Sequence, residues 1–491
     1  MTITMRRLIH TTFVIAMLAF VTGCASVRAA ADNSIFSAHF IGTEELADDE
    51  KASAVFDILN LPEGKRVRET LARQLVARTR NFTPGISGVS SNAMHAFYED
   101  FLRVETAVQI KSLKPAAWSV ALKSGAKRAK SWEGEWNKAA KSSGGKLTLA
   151  RRGAWLGIGV GTQPVFPGKL DGVMHLRATP AILRDFVGPV FPNPPAIDLT
   201  YTIRKGRVRT EGTMSFAQAQ KLNLAPFRWP ENSLRDPLVG LNIVRGIKPW
   251  ISQFKLLRDW RVREAPNQAI LWTQSDVPFH TLVSVPFPKV KPWLVKQKDR
   301  AVEWLQPNLA KHGLGSILLT SNNHHYGWSG VPIIAPFIGA APEPTGDWLM
   351  AGTMISILPR GKNGSPPPAG LLDQFRKSDD LIYYEWEITQ NRLRTARFIG
   401  QIAQMIGGRL VSGGPTQKWL NALGNKLGNS VTEVLKKDNK TWNVTRSSNI
   451  GFNSFELAFL GYWLENSDFP KLKRPKATGP PVPFARPPAK K

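Results

Sequence analysis

Two glutamates, Glu385 and Glu387, come closest in this 491-residue chain to a pair of catalytic carboxylates. They lie two positions apart within Leu381–Ile388, a run of aromatic and aliphatic residues that predicts a β-strand. Residues two apart on a strand share one face and are separated by about 6.6 Å along the chain. Glycoside hydrolases hold their two carboxylates at comparable separations. The spacing is therefore compatible with hydrolysis, and Glu385 and Glu387 are the candidate catalytic residues.

A structural interpretation of the same two glutamates stays open. The opposite face of the predicted strand would be apolar and formed by Ile382, Tyr384, Trp386 and Ile388. Glu385 and Glu387 would then be the polar side of a half-buried strand. In a chain this rich in cations, they could also pair with arginines such as Arg392 or Arg394.

Ser124 and Lys127 match the S-x-x-K spacing of penicillin-recognising enzymes. The spacing places the lysine one helical turn from the serine, within reach of its proton. The partner motifs of those enzymes do not follow in the expected order. Ser124 is equally suited to cap the predicted helix Gly125–Ala140.

His324 and His325 are adjacent in the sequence. Neighbouring residues on a strand point to opposite faces, so this pair is poorly arranged to share a metal ion. The chain also lacks the HExxH, P-loop, nucleophile-elbow and calcium-loop motifs. We therefore expect neither a bound metal nor a cofactor.

Gly157, Gly159 and Gly161 alternate with apolar residues but do not match the dinucleotide-binding fingerprint, because the last glycine spacing is absent. Glycines within a strand let another backbone approach closely or let the strand bend. We expect that role here.

The order of predicted elements around Glu385 and Glu387 is strand, helix, two strands and helix. In this segment the elements are Leu381–Ile388, Asn391–Ile406, Val431–Leu435, Thr441–Thr445 and a last helix capped by Ser454. Two earlier segments, starting at Trp118 and Ala269, fit the same order. The pattern predicts an α+β fold with largely antiparallel sheets, helices packed on one side, and a threefold strand-helix-strand-strand-helix pseudo-repeat.

Length alone suggests two to three domains. The predicted segments are a signal peptide (1–23), a leader (24–40), an N-terminal (41–225), a middle (226–364) and a C-terminal (365–470) α+β domain, and a disordered, basic, proline-rich tail (471–491).

Cys24 is the single cysteine of the chain and follows Thr22 and Gly23. Arg6 and Arg7 precede an apolar run from Leu8 to Val21, which is the layout of a secretory signal and too short to remain as a membrane span. Once Cys24 is modified, the mature chain holds no thiol, and disulfides and thiolate metal sites are excluded.

Residues 1–24 resemble the lipobox signal of bacterial lipoprotein precursors. The resemblance implies a diacylglyceryl thioether on Cys24, removal of residues 1–23 and acylation (palmitate, for example) of the new amino terminus. Ala25 in place of aspartate implies sorting to the outer membrane. The alternative is ordinary secretion with cleavage after Ala29-Ala30-Ala31. The remaining body resembles uncharacterised envelope lipoproteins, a resemblance that implies no site.

The chain is strongly basic, with 65 Lys and Arg against 37 Asp and Glu and a net charge of +28. Such a charge attracts anionic partners, which in a bacterial envelope are anionic lipids, lipopolysaccharide and cell-wall polymers. We expect an envelope lipoprotein facing the periplasm that binds these polymers or partner proteins without catalysis, and no nucleic acid. The alternatives are a periplasmic hydrolase of a glycan or peptide and a carrier of an apolar ligand.

Overall fold

The computed structural model describes residues 34–465 except positions 83–85, 87, 102, 114, 124–125, 188–192, 255–256, 258, 275–279, 312–315, 320–323, 329–335, 342, 345–346, 354–364, 377 and 396–413. Cys24, Ser124 and the predicted tail (471–491) lie outside the described residues. Among the described helices, none has both the length and the apolar character that crossing a bilayer requires.

The strands of the described chain join in one antiparallel sheet. In chain order they are β1 (Phe36–Phe40), β2 (Thr106–Leu113), β3 (Ala116–Lys123), β4 (Leu147–Arg152), β5 (Trp155–Val160), β6 (Met174–Ala178), β7 (Ala196–Arg204), β8 (Arg207–Ser215), β9 (Leu238–Arg245), β10 (Gln268–Gln274), β11 (Thr281–Pro286), β12 (Ile317–Leu319), β13 (His325–Trp328), β14 (Phe337–Ala340), β15 (Trp348–Gly352), β16 (Leu381–Ile388), β17 (Asn429–Lys436) and β18 (Thr441–Ser448).

The spatial order of the strands is not their chain order. Across the sheet they run β4-β5-β3-β2-β1-β6-β7-β8-β18-β17-β16-β9-β10-β11-β15-β14-β13-β12. Strand β18 therefore pairs with β8, and β16 pairs with β9. The C-terminal hairpin closes the middle of the sheet, and both predicted domain boundaries, after 225 and after 364, are bridged by strand pairing.

The helices are α1 (Thr43–Ala47), α2 (Ser53–Leu59), α3 (Pro62–Phe82), α4 (Ser91–Phe101), α5 (Ala126–Ser142), α6 (Pro180–Val187), α7 (Lys248–Ile251), α8 (Val290–Lys311), α9 (Ala369–Arg376), α10 (Pro415–Gly424) and α11 (Ser454–Glu465). A further helix starts at 389 and is described to 395. The architecture is mixed α+β and mostly sheet, as the element order predicts.

The expectation that helices pack on one side of the sheet is wrong at β16. On one face, the Phe375 ring of α9 lies 5.2 Å from the Tyr384 ring. On the other, Ser454 at the start of α11 binds Glu387. The physical reason is that β9, β10 and β16 are buried along nearly their whole length, so both faces need cover.

Two hydrophobic cores use opposite faces of these strands. One includes Tyr383 and Val244 together with Trp442 of β18. The other includes Tyr384 and Trp272. The N-terminal helices form a third core around Trp132 and Trp136, both fully buried, as their spacing on one helical face predicts.

The predicted leader is corrected at its end, because residues 36–40 form β1 and pair with both β2 and β6. The chain between β1 and α3 forms α1, a 3-10 turn at Glu50–Ala52 and α2 in succession. Ser454 does not cap the last helix: Asn453 is the cap, and Ser454 is the first helical residue.

The three segments of the predicted pseudo-repeat pair their strands differently. In the first, β3 pairs with β5 rather than with β4. In the second, β11 pairs with β10 and β15, away from β12 and β13. In the third, β16 pairs with β17 directly. A shared strand order is therefore not confirmed.

The glycines of β5 lie under a crossing segment, as their spacing predicts. A Cβ atom on Gly159 would lie 2.1 Å from the Thr162 carbonyl oxygen, and one on Gly157 would lie 2.6 Å from Cβ of Pro164. Gly161 has a φ of +60°, which a side chain disfavours. The chain turns at Gly161 and folds back over its own strand.

Candidate functional site

Strand β16 carries both candidate glutamates into the interior. Its neighbours are β17 on one side and β9 on the other, and the pairing places Glu385 opposite Thr432 and Asn242. Glu385 is 3% exposed and Glu387 is 1% exposed. The two side chains share a face, as the alternation predicts, but that face is covered rather than open.

Glu385 is bound by neutral donors. The Asn453 amide donates from Nδ2 to Oε1 at 3.1 Å and to Oε2 at 2.9 Å. The Thr432 hydroxyl donates to Oε2 at 3.1 Å. Both carboxylate oxygens are therefore satisfied from within the fold.

Glu387 is bound by the first residue of α11. The Ser454 backbone N–H donates to Oε1 at 2.7 Å, and the Ser454 hydroxyl donates to Oε2 at 2.5 Å. The first N–H groups of a helix have no partner within the helix and carry a partial positive charge, so a carboxylate fits there. The Arg392 guanidinium adds an ion pair, with Nε 3.8 Å from Oε2.

The start of α11 is fixed by a reciprocal cap. Oδ1 of Asn453 accepts from the Glu456 N–H at 2.8 Å, and Oε2 of Glu456 accepts from the Asn453 N–H at 2.9 Å. This is the capping-box arrangement, and Asn453 also serves Glu385 through its other amide atom. One residue therefore ties the helix start to the strand.

Arg446 of β18 supplies the buried positive charge. It donates from Nε to the Thr432 hydroxyl oxygen at 2.9 Å and from NH1 to Glu456 at 2.6 Å and to the Gly451 carbonyl at 3.1 Å. The whole cluster of Glu385, Glu387, Arg446, Asn453, Ser454 and Glu456 is buried. We call these six residues the buried polar cluster.

Burial dominates the electrostatics of this cluster. It raises the pKa of Glu385 to about 7, with the neighbouring Glu387 charge acting in the same direction and Arg446 opposing it. Burial also raises the pKa of Glu456 despite its ion pair with Arg446. For Arg446 burial acts to lower the pKa, but the carboxylates of Glu456 and Glu385 outweigh it and raise the pKa.

The two glutamates connect strand β16 to β17 and to the start of α11, which is a structural role. All four carboxylate oxygens accept hydrogen bonds from the protein. A glycosidase needs one carboxyl to reach the leaving group and the other to reach the sugar or a water. The expected arginine pairing exists for Arg392 and not for Arg394, which donates to Asn425 instead at 3.5 Å.

The structure does not place the serine and histidine candidates of the sequence in a shared site. Ser124 lies outside the described residues, so its catalytic and capping roles both stay predictions. His325 Nε2 lies 2.8 Å from the Ala340 carbonyl oxygen, and burial lowers its pKa. Across the described residues, there is no group of three or more His, Cys, Asp or Glu side chains placed to hold a metal ion.

Sequence reasoning missed two clusters. His39 and His175 face each other across β1 and β6, and each binds a carboxylate: His39 to Glu105 at 3.0 Å and His175 to Asp198 at 2.7 Å. Alternation along β1 could have placed His39 on the polar face, but only the pairing shows that His175 lies beside it.

The second missed feature is a cleft of about 410 Å³ among the N-terminal helices. Its lining is Thr43, Glu44, Ala47, Phe56, Asn60, Lys65, Arg68, Glu69, Glu99 and Arg103. The arginine-rich side of α3 is visible in the sequence, but the residues that complete the cleft come from three other helices and the loop after α4.

Comparison with known proteins gives little. No protein-family model and no curated protein matches this chain. A solved structure titled "Structure of crystal form I of TP0453" is 7% identical, with 50% of this chain and 98% of that chain covered and a TM-score of 0.22. Similarity at that level supports no statement about fold or function.

Proposed function

We propose that this protein is a lipid-anchored envelope protein that binds anionic envelope polymers, or partner proteins, and does not catalyse a reaction. The observation that carries the non-catalytic part is the closure of the strongest catalytic candidate. Glu385 and Glu387 are buried, and every carboxylate oxygen is engaged by strand or helix donors.

The binding part rests on charge. Without Arg6 and Arg7 of the removed segment, the mature chain keeps 63 Lys and Arg against 37 Asp and Glu, so at least 26 cations have no carboxylate to neutralise them. Unpaired surface cations raise the local concentration of phosphate- and carboxylate-bearing polymers and steer them toward the surface. Lipopolysaccharide, anionic lipid and cell-wall polymer are the classes that fit an envelope location.

Cys24 carries the lipid anchor, and its new amino terminus is acylated after residues 1–23 are removed. The anchor holds the protein at the outer membrane, where the protein faces the periplasm. Several acyl chains on one residue hold a protein firmly, since each buried methylene contributes about 0.8 kcal/mol. We expect Cys24→Ala to move the mature chain from the membrane fraction to the soluble fraction. A Cys24→Ala chain that stays in the membrane fraction would contradict the anchor.

The binding role is tested by pull-down of the Cys24→Ala chain on lipopolysaccharide, anionic lipid and purified cell wall. We expect retention at low ionic strength and release as salt rises, because exposed charges are screened over about 10 Å at 0.1 M salt. Retention that is independent of salt, or no retention on any of the three, would contradict an electrostatic role. Neutral phosphatidylcholine is the matched control surface.

A further inference from the structure

The cleft among the N-terminal helices is lined by charges of both signs. It lies among α1, α2, α3 and α4, and has a volume of about 410 Å³. Three cations and three carboxylates line it: Lys65, Arg68, Arg103, Glu44, Glu69 and Glu99. Residues of both signs face the same small space.

Only one of the three cations of the cleft forms an ion pair with a described carboxylate. Arg103 pairs with Glu44 at 2.8 Å. Arg68 donates from NH1 to the Leu59 carbonyl at 2.9 Å, and no carboxylate in the described part of the chain lies within 4 Å of it. Burial lowers the pKa of Arg68, and the nearby Arg103 charge lowers it further. Lys65 is exposed and forms no ion pair with a described residue. Two cations are therefore available to a ligand.

Only some of the carboxylates of the cleft form ion pairs within the described residues. Glu44 is taken by Arg103. Glu99 lies 3.7 Å from His95, a contact that counts as an ion pair only when the imidazole is protonated. Glu69 makes no ion pair within the described residues and is exposed beside Arg68. Two carboxylates therefore remain as acceptors for a cation.

The two cations and two carboxylates that remain available limit the class of ligand that the cleft can bind. A purely anionic group would meet Glu69 and Glu99, and a purely cationic group would meet Lys65 and Arg68, so each would be opposed by like charge. A small zwitterion satisfies both sets. Arginine and lysine together suit a phosphate, whose several oxygens accept from more than one donor, and carboxylates suit a primary ammonium with three N–H groups.

We propose that this cleft binds a phosphoethanolamine group, with its phosphate held by Lys65 and Arg68 and its ammonium held by Glu69 and Glu99. The group occurs on lipid head groups and in free soluble esters, and the cleft chemistry is the same for both. The proposal is independent of the basic surface that the proposed function uses. It needs no catalytic step.

The test is calorimetric titration of the purified full chain in detergent with glycerophosphoethanolamine as the probe. Inorganic phosphate, ethanolamine and glycine are the comparison ligands. We expect the probe to bind at least about tenfold more tightly than each of them, because only the probe satisfies both charge sets with a phosphate. Equal binding of phosphate, ethanolamine or glycine, or no binding of the probe, would overturn the proposal.

Two substitutions separate the two ends of the ligand. Lys65→Gln and Glu69→Gln are both at exposed positions of α3 and should each weaken the probe about tenfold while leaving the thermal midpoint unchanged. Arg66→Gln and Glu63→Gln, on the same helix and outside the cleft lining, are the matched controls and should change affinity less than about twofold. A control that weakens the probe as much as its partner would overturn the assignment.

The source of the group is distinguished with the Cys24→Ala chain and vesicles. Binding to phosphatidylethanolamine vesicles in preference to phosphatidylcholine would assign the lipid head group, since a quaternary ammonium cannot donate hydrogen bonds to Glu69 or Glu99. Binding of the soluble probe without vesicle preference would assign the free ester.

Discussion

Glu385 and Glu387 show how far a sequence can define a site at the scale of single residues. Their strand, their shared face and a partner arginine, Arg392, are predictable from alternation and composition. Their burial under Asn453 and Ser454 is not, because those residues lie more than 60 positions away. The contact between these glutamates and the start of α11 depends on the tertiary fold, and no short sequence pattern predicts it.

The raised pKa of Glu385 makes stability depend on pH. The carboxyl titrates near 7 when folded and near its usual 4.5 when unfolded, so the folded state holds the proton more tightly. The resulting stability is fully present below pH 4.5 and is lost as pH rises to about 7, at a total of about 3 kcal/mol.

Denaturant unfolding between pH 4.5 and 8 measures this effect. We expect Glu385→Gln to flatten the profile, since glutamine can still accept from Asn453 and donate to the Thr432 oxygen without a titrating proton. An unchanged slope in Glu385→Gln would assign the pH dependence to another group.

Removal of the Glu387 carboxylate should be costly. Glu387→Ala would leave the Ser454 N–H and hydroxyl and the Arg392 guanidinium without their acceptor in a buried site, and we expect a loss of about 3 kcal/mol of unfolding free energy. Glu433→Ala on the neighbouring β17 is the control, because Glu433 is half-buried and accepts a long hydrogen bond of 3.5 Å from the Thr445 hydroxyl. We expect a loss below about 1 kcal/mol there. Equal losses would mean that the helix start contributes little.

At the scale of elements, the sequence predicts strands that alternate apolar and polar residues and that end at turn residues. It does not predict strands that are buried on both faces. The hairpin β7–β8 follows from alternation and from a turn at Lys205-Gly206, where both φ angles are positive, 51° and 70°. Strand β9 gives no alternation because seven of its eight residues are buried, so its sequence does not predict a strand. A short apolar run of this kind does not distinguish strand from helix.

The crossing over β5 gives a matched test with two glycines. Gly159→Ala would place a methyl group 2.1 Å from the Thr162 carbonyl, and we expect a loss of more than about 2 kcal/mol of unfolding free energy. Gly134→Ala in α5 meets nothing within 4 Å and should stabilise the chain by about 0.5–1 kcal/mol, because alanine is the better helix former. Thermal unfolding of both variants measures the contrast. Equal effects would contradict the crossing segment.

At the scale of the whole molecule, the C-terminal hairpin makes the fold a single continuous sheet. Composition and length predict a globular α+β protein, but the pairing of β18 with β8 joins residues more than 220 positions apart. Such pairing depends on which strands lack a neighbour after local hairpins form. Composition and length therefore do not locate divisions between domains.

The net charge is a property of the whole chain and gives the account its functional prediction. A tail of five lysines and two arginines without acids, 471–491, should contribute a substantial share of the attraction to anionic surfaces. A chain ending at 470 should therefore bind anionic vesicles more weakly and with a smaller dependence on salt. Equal affinity and equal salt dependence would remove the tail from the account.

The central claim is that the protein holds anionic surfaces by charge and without chemistry. Its most direct test is the affinity of the Cys24→Ala chain for phosphatidylglycerol vesicles, measured by sedimentation from about 50 to 300 mM salt. The account predicts that affinity falls at least about tenfold across this range and that phosphatidylcholine vesicles are not bound. An affinity that does not change with salt, or equal binding to the neutral vesicles, would contradict it.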